Sequence, residues 1–149
     1  MAANTSPIFT LTPNVGVAAV TAALTDSQGT GTVATNIFKA FTAGINGSFV
    51  WRVRWNPTAS VAATTTTATV GRVFYSTAGS GATTGGTNTW LIGEITLAAV
   101  SADHSTAPTS PLEIIINMAI PTGSFIHVSN HAAPAASTNW QAMCIGGDY

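Results

Sequence analysis

The chain has 149 residues and few charges: four Lys or Arg and five Asp or Glu, for a formal net charge of −1 with histidine neutral. Charged residues make up 6% of it, where a typical soluble domain carries roughly 25%. That balance excludes a basic footprint for nucleic acid and leaves few side chains for acid/base, metal or phosphate chemistry.

The length suits one domain with its own core. Ala and Thr together form about a third of the chain, well above ordinary usage, while the usual residues of helix surfaces are scarce. Thr favours strands and turns, so an all-β protein is expected. Disorder is rejected for most of the chain, because the four tryptophans and most phenylalanines lie in or beside strand-like runs. Residues 114–147 hold no Asp, Glu, Lys or Arg, but Asn117, Pro121, Asn130 and Pro134 interrupt them, so they are not a membrane span. The start, Met1-Ala2-Ala3-Asn4-Thr5, lacks the positive, apolar pattern of a secretory signal. Cys144 is the one cysteine and, between Met143 and Ile145, reads as a small buried apolar residue.

Residues 1–14 read as an extended arm, held out of helix by Pro7 and Pro13. Thr5, Pro7, Ile8, Phe9 and Leu11 are its expected contact residues, against its own domain or a neighbour. Residues 15–149 are expected to form a single β-sandwich domain.

The first strand-like run is 15–24, ending at the turn cluster Asp26-Ser27-Gln28-Gly29. The next, 33–41, leads to Asn46-Gly47, a hairpin signal because both residues tolerate positive φ. In Ser48-Phe49-Val50-Trp51-Arg52-Val53-Arg54-Trp55 period-2 alternation places Phe49, Trp51, Val53 and Trp55 on one face. Asn56-Pro57 is expected to stop that strand. Residues 58–67 read as a Thr-rich loop and 68–75 as a strand with Val70, Arg72 and Phe74 on one side. Residues 76–87 form a Gly/Ser/Thr loop, long enough to be mobile or to touch a partner. Three further strands are expected at 88–99, 112–120 and 125–129, and a last one at 140–145. The unbroken Ile114-Ile115-Ile116 suggests burial on both faces. About eight strands without a βαβ rhythm predict an antiparallel β-sandwich, with the jelly roll as the eight-strand solution.

No motif carries catalysis. Asp103-His104-Ser105 are adjacent, so on an extended segment their side chains diverge and cannot line up as a triad. His127 and His131 are four apart, a ligand spacing on a helix, but their segment reads as strand and turn. The glycines at 79–86 lack the lysine and following helix of a phosphate cradle. Arg52, Arg54 and Arg72 all fall in strands. They read either as a charged interface patch or as ion-pair partners of Glu94 and Glu113 or of a subunit's carbonyls. Catalytic residues, metal ligands and cofactors are therefore all expected to be none.

Three stretches carry a resemblance: the opening Met-Ala-Ala-Asn-Thr-Ser-Pro-Ile-Phe, the central Val-Trp-Arg-Val-Arg-Trp and the closing Ala-Met-Cys-Ile-Gly-Gly-Asp-Tyr. They resemble small virion structural proteins of tailed bacteriophages. The resemblance implies a head decoration (cement) protein or a related capsid or tail component, β-rich, trimeric and attached by a terminal arm. The expected partners are copies of itself, with a trimer favoured, and the major capsid protein or other virion proteins, with no nucleic acid and no membrane. The expected location is the virion, after synthesis in the host cytoplasm, where a chain without a disulfide pair fits. The alternative is a tail-tip or adhesin-like module that binds carbohydrate or a receptor through exposed aromatics, with Trp140 as its best-placed tryptophan.

Overall fold

The computed structural model describes residues 10–105 and 111–149. In chain order its strands are β1 (Thr12–Val20), β2 (Gly31–Thr32), β3 (Phe38–Thr42), β4 (Ser48–Ala59), β5 (Thr64–Thr65), β6 (Thr69–Ser76), β7 (Ala82–Thr83), β8 (Thr89–Leu97), β9 (Ser101–Ala102), β10 (Leu112–Ile120), β11 (Phe125–Asn130) and β12 (Thr138–Asp148). Eight are long. The four two-residue strands pair as β2 with β7 and β5 with β9, and tie loops together.

The long strands form two antiparallel sheets, ordered β1-β12-β4-β10 and β3-β11-β6-β8. Counting only the long strands, the first pairs with the eighth, the second with the seventh, the third with the sixth and the fourth with the fifth. Those are the pairs of one long hairpin. Rolling that hairpin sets the eighth strand beside the third and the seventh beside the fourth, as β12 sits beside β4 and β11 beside β6. This is the jelly-roll order, which leaves only two open edges per sheet. The expected antiparallel sandwich is what folds.

Several boundaries and faces differ from the sequence reading. β1 begins at Thr12, so Thr12 to Asn14, read as arm, are paired with Asp148 to Gly146. β4 runs through Pro57 to Ala59. Its β10 partner ends at Leu112, opposite Trp55. Among the described residues nothing pairs with that side of β4 beyond Trp55, and a proline's missing N–H costs no ladder bond at such a position. Asn46-Gly47 does not make a hairpin. The turn closes from Gly47 N–H to Gly44 O at 3.0 Å, Gly47 takes φ +87°, and the chain crosses from one sheet to the other. Period 2 breaks at Trp51: β12 pairs Ile145 with Arg52 and then Gly146 with Val50, so Trp51 is an extra, bulged residue. Val50, Val53 and Trp55 face the core, while Trp51 is partly exposed. Ile115 points outward and is exposed, against the expectation of burial on both faces.

Between the sheets lie Trp55, Trp140, Phe41, Val50, Val53, Val73, Ile126 and Val128. Each tryptophan buries roughly 200 Å², about 5 kcal/mol at 25 cal/mol per Å². Trp140 is 2% exposed and its indole N–H donates to Thr67 O at 3.3 Å. It is a core residue and presents no face to a sugar.

The two sheets are treated differently on their outer faces. Residues 21–37 fold over the outside of β3-β11-β6-β8, where Leu24 and Ile37 bury Phe74. Leu24 N–H donates to Asn130 O at 2.7 Å. The Asp26 carboxylate accepts from the N–H groups of Gln28, Gly29 and Thr30 and shapes the turn. The glycine-rich loop is pinned to this segment by β2 and β7 and by Gly85 N–H on Thr30 Oγ1 at 3.3 Å. No described residue lies in the same way over the outside of β1-β12-β4-β10, apart from Thr10 at one corner.

Candidate assembly face

The strand registers build the outer face of β1-β12-β4-β10 row by row. One row runs Val15, Ile145, Arg52, Ile115, and the next runs Val17, Met143, Arg54, Glu113. Pro13, Gly147, Phe49 and Ala119 form a row at one end. Val17 is 67% exposed, Ile115 62% and Val15 56%. The β1 margin is thus apolar, while the charge lies on β4 and β10, where Glu113 shares the β10 margin with Ile115. Beside Val17 and Met143 a shallow groove of about 200 Å³ is bordered by Ala19, Asn56 and Gln141.

The charged centre is a three-residue cluster. Arg54 Nε donates to Glu113 Oε1 at 2.8 Å and its Nη2 lies 2.6 Å from the same oxygen. Arg52 Nη1 donates to Glu113 Oε2 at 3.3 Å. The Arg54 hydrogen bond, helped by the charges of both guanidiniums, holds Glu113 below the ordinary carboxylate range although burial opposes it. One carboxylate against two guanidiniums leaves one surplus positive charge. Cross-strand pairing of opposite charges is the local reason for the cluster, and both arginines keep N–H groups to spare.

Arg72 is not part of this face. It lies in the other sheet, 7% exposed. Its Nε donates to Glu94 at 2.8 Å, and its Nη1 to Leu24 O at 3.0 Å and Asp26 O at 3.2 Å. It clamps residues 21–37 onto their sheet. Of the expected arm contacts, Thr5, Pro7, Ile8 and Phe9 lie outside the described residues. Leu11 is exposed, and its N–H donates to Asp148 O at 2.7 Å.

The remaining candidates are dispersed. Asp103 accepts from the N–H and hydroxyl of Ser105 at 2.8 and 2.7 Å. Those bonds hold its carboxyl below the usual range. His104 stands aside at 3.9 Å, so the three make a turn and no relay. His131 is exposed with Nδ1 3.1 Å from Thr25 O. His127 is fully buried and stacked on Phe125 at 6.0 Å. Burial, with the nearby Lys39 charge, lowers its pKa to about 4. Among the described residues no group of three His, Cys, Asp or Glu side chains could hold a metal.

Sequence reasoning missed Val15, Val17 and Ile115 as a surface. The signal was present in β1: Val15, Val17 and Ala19 alternate with Gly16, Ala18 and Val20, so both faces of an edge strand are apolar. It also missed Trp90, which is partly exposed and stacks on Tyr75 at 5.7 Å. Trp90 borders a shallow pocket of about 330 Å³ formed with Ser27, Gln28 and Thr89.

No protein-family model matches the chain, and no curated protein does. Chains in solved structures of infectious bursal disease virus, Gt and Gx strains, are 13% and 12% identical to it, with TM-scores of 0.31 and 0.27. The alignments cover 98% and 99% of this chain but 36% and 34% of those chains. The chain thus spans about a third of their length. TM-scores this low fall short of a shared fold, and the jelly roll rests on strand order alone.

Proposed function

We propose that the protein is a non-enzymatic structural protein of a bacteriophage particle, decorating or stabilising the capsid. Its neighbours would be copies of itself and the major capsid protein. One observation carries the reading. The roll covers the outside of one sheet with its own residues 21–37, whereas among the described residues only Thr10 lies over the outside of the other, whose β1 margin is apolar. An apolar patch of that kind marks a surface that meets another protein, and its Trp, Met and Arg content suits an interface centre. The scarcity of charge, which would limit solubility of an isolated subunit, suits a subunit whose surface is shared with neighbours. The arm resemblance adds residues Thr5 to Leu11 to the contact, and three-fold assembly remains the favoured symmetry.

The test is co-sedimentation with particles lacking the protein, together with light scattering. Binding in many copies per particle, weakened by Ile115→Asp at the β10 margin, is expected. A protein that stays monomeric at micromolar concentration and fails to pellet with particles would overturn the reading.

The receptor-binding alternative moves from Trp140 to Trp90. Its indole and the polar side chains of Ser27, Gln28 and Thr89 border one pocket, the mixture that stacks and hydrogen-bonds a neutral sugar ring. Quenching or blue-shift of tryptophan emission on titration with a panel of neutral glycans, lost in Trp90→Ala, would support it. No response across the panel would remove it.

A further inference from the structure

Ile126 and Val128 of β11 face the core between the sheets. By alternation Phe125, His127 and Ser129 face outward, on the side that residues 21–37 cover. The register sets Lys39 of β3 on one side of His127 and Phe74 of β6 on the other. Leu24 and Ile37 close over that row at Phe74, and His127 keeps no exposed surface. Neither of its ring nitrogens has a hydrogen-bond partner among the described residues.

Such a site accommodates the neutral ring. Protonation would bury two N–H donors without acceptors and a charge without a partner. The charged groups facing the ring add to that cost. Lys39 stands beside it on β3, and Arg72 takes the next outward position of β6, opposite Ser129. Glu94 of β8 is already held by Arg72 Nε at 2.8 Å. The cover brings one ionisable group, Asp26, and its carboxylate is turned onto the N–H groups of its own turn, Gln28, Gly29 and Thr30. The glycine-rich loop tied to the cover, residues 76–87, brings none.

The ties that hold the cover down do not themselves respond to acid. Arg72 Nη1 donates to Leu24 O and Asp26 O, and Leu24 N–H donates to Asn130 O. At the end of β11, His131 Nδ1 lies 3.1 Å from Thr25 O. A carbonyl only accepts, so that nitrogen carries its hydrogen in the neutral and the charged ring alike.

We propose that His127 is the latch of an acid-sensitive cover: its protonation releases residues 21–37 from the outer face of β3-β11-β6-β8 while the two sheets stay packed. Release gives the ring water and exposes Phe74, Leu24 and Ile37, a second apolar surface that is hidden at neutral pH. The device belongs to the subunit and does not depend on the proposed role in a particle. Under the closed cover His127 takes up a proton only near pH 4, whereas reached by water it does so near its ordinary 6.5. Acid therefore favours the open form, and between pH 7.5 and 4.5 the ratio of open to closed chains rises about 80-fold.

Amide exchange of the full chain at these two pH values, corrected for intrinsic rates and repeated at urea concentrations below the unfolding transition, tests it. The Leu24 amide is expected to exchange faster than the amides of β12 and to respond little to urea, because a local opening exposes little surface. Its opening should gain about 80-fold at pH 4.5, and His127→Phe should remove that gain. Asp26→Asn, which keeps an acceptor in the turn, should retain it. A Leu24 amide that shares the rate and urea response of β12 would show that only global unfolding frees the cover, and would overturn the proposal without any variant. A gain that is absent, that survives in His127→Phe, or that disappears in Asp26→Asn would overturn it as well.

Discussion

Gly16 of β1 passes so close to Ala40 of β3 that a Cβ at Gly16 would stand 1.9 Å from the Ala40 carbonyl oxygen. β1 and β3 are edge strands of opposite sheets, so this contact closes one side of the sandwich. Gly93 does the corresponding work on the other side, where a Cβ would meet Ile114 Cγ2 at 2.9 Å. The difference lies in what would have to move: backbone at Gly16, a side-chain methyl at Gly93. Gly16→Ala is therefore expected to cost about 3 kcal/mol or more, at or beyond the upper end of overpacking, and Gly93→Ala about 1 kcal/mol. Urea denaturation of both variants measures it, and equal costs would refute the backbone argument.

Arg72 binds two loop carbonyls that nothing else among its described neighbours satisfies. Arg72→Met keeps the packing stem and removes the donors. One buried and one part-buried acceptor left unpaired should cost about 2 kcal/mol. Amide exchange should quicken selectively over residues 21–37. Glu94→Gln takes the counter-charge from the buried Arg72 guanidinium but keeps an acceptor oxygen, so it should cost about 2 kcal/mol.

His127 makes stability depend on pH. Its ordinary pKa is near 6.5 and burial lowers it to about 4 in the folded chain. The unfolded chain therefore binds the proton more readily, and acid favours unfolding. The contribution is whole above pH 6.5 and is lost as pH falls from 6.5 through 4, by roughly 3 kcal/mol in all. Glu113 and Asp148 have lowered pKa values, so their losses fall at the acid end of that window and below. Denaturation midpoints between pH 7 and 4.5 therefore isolate the histidine. His127→Phe should flatten the slope in that range, and an unchanged slope would exclude His127 as its source.

Cys144 should report on global opening. It is fully buried in β12, and burial pushes its thiol up to about 12. Reaction with a disulfide reagent at pH 8 should be slow in the native protein and should accelerate in proportion to the unfolded fraction as urea is added. Prompt labelling of the native protein would show that β12 opens locally.

How far the sequence could be read depends on the range of the interaction concerned. The strand at 48–55 was legible because alternation is local, and Val53 and Trp55 were placed on the right face, yet Phe49, Val50 and Trp51 were misread. The bulge at Trp51 exists only because β12 steps past it. Trp140 looked available because it begins a short apolar run, but Pro57 and Thr67 come from distant parts of the chain to bury it. The arginine pairs were foreseeable as a class, since Glu94 and Glu113 sit in strands of matching length. Which arginine takes which acid was set by register.

Composition and periodicity alone determined that this is an all-β chain of about eight strands with few charges, because those properties follow from residue type and spacing of two. The tertiary structure decided the jelly-roll order, the split of the arginines between two sheets, and which outer face residues 21–37 cover. Those depend on contacts between residues far apart in the chain: Leu24 with Asn130, Arg52 with Glu113, Thr10 with Gly147. No local pattern encodes such pairs, since each forms only after the hairpin has rolled and brought its strands side by side.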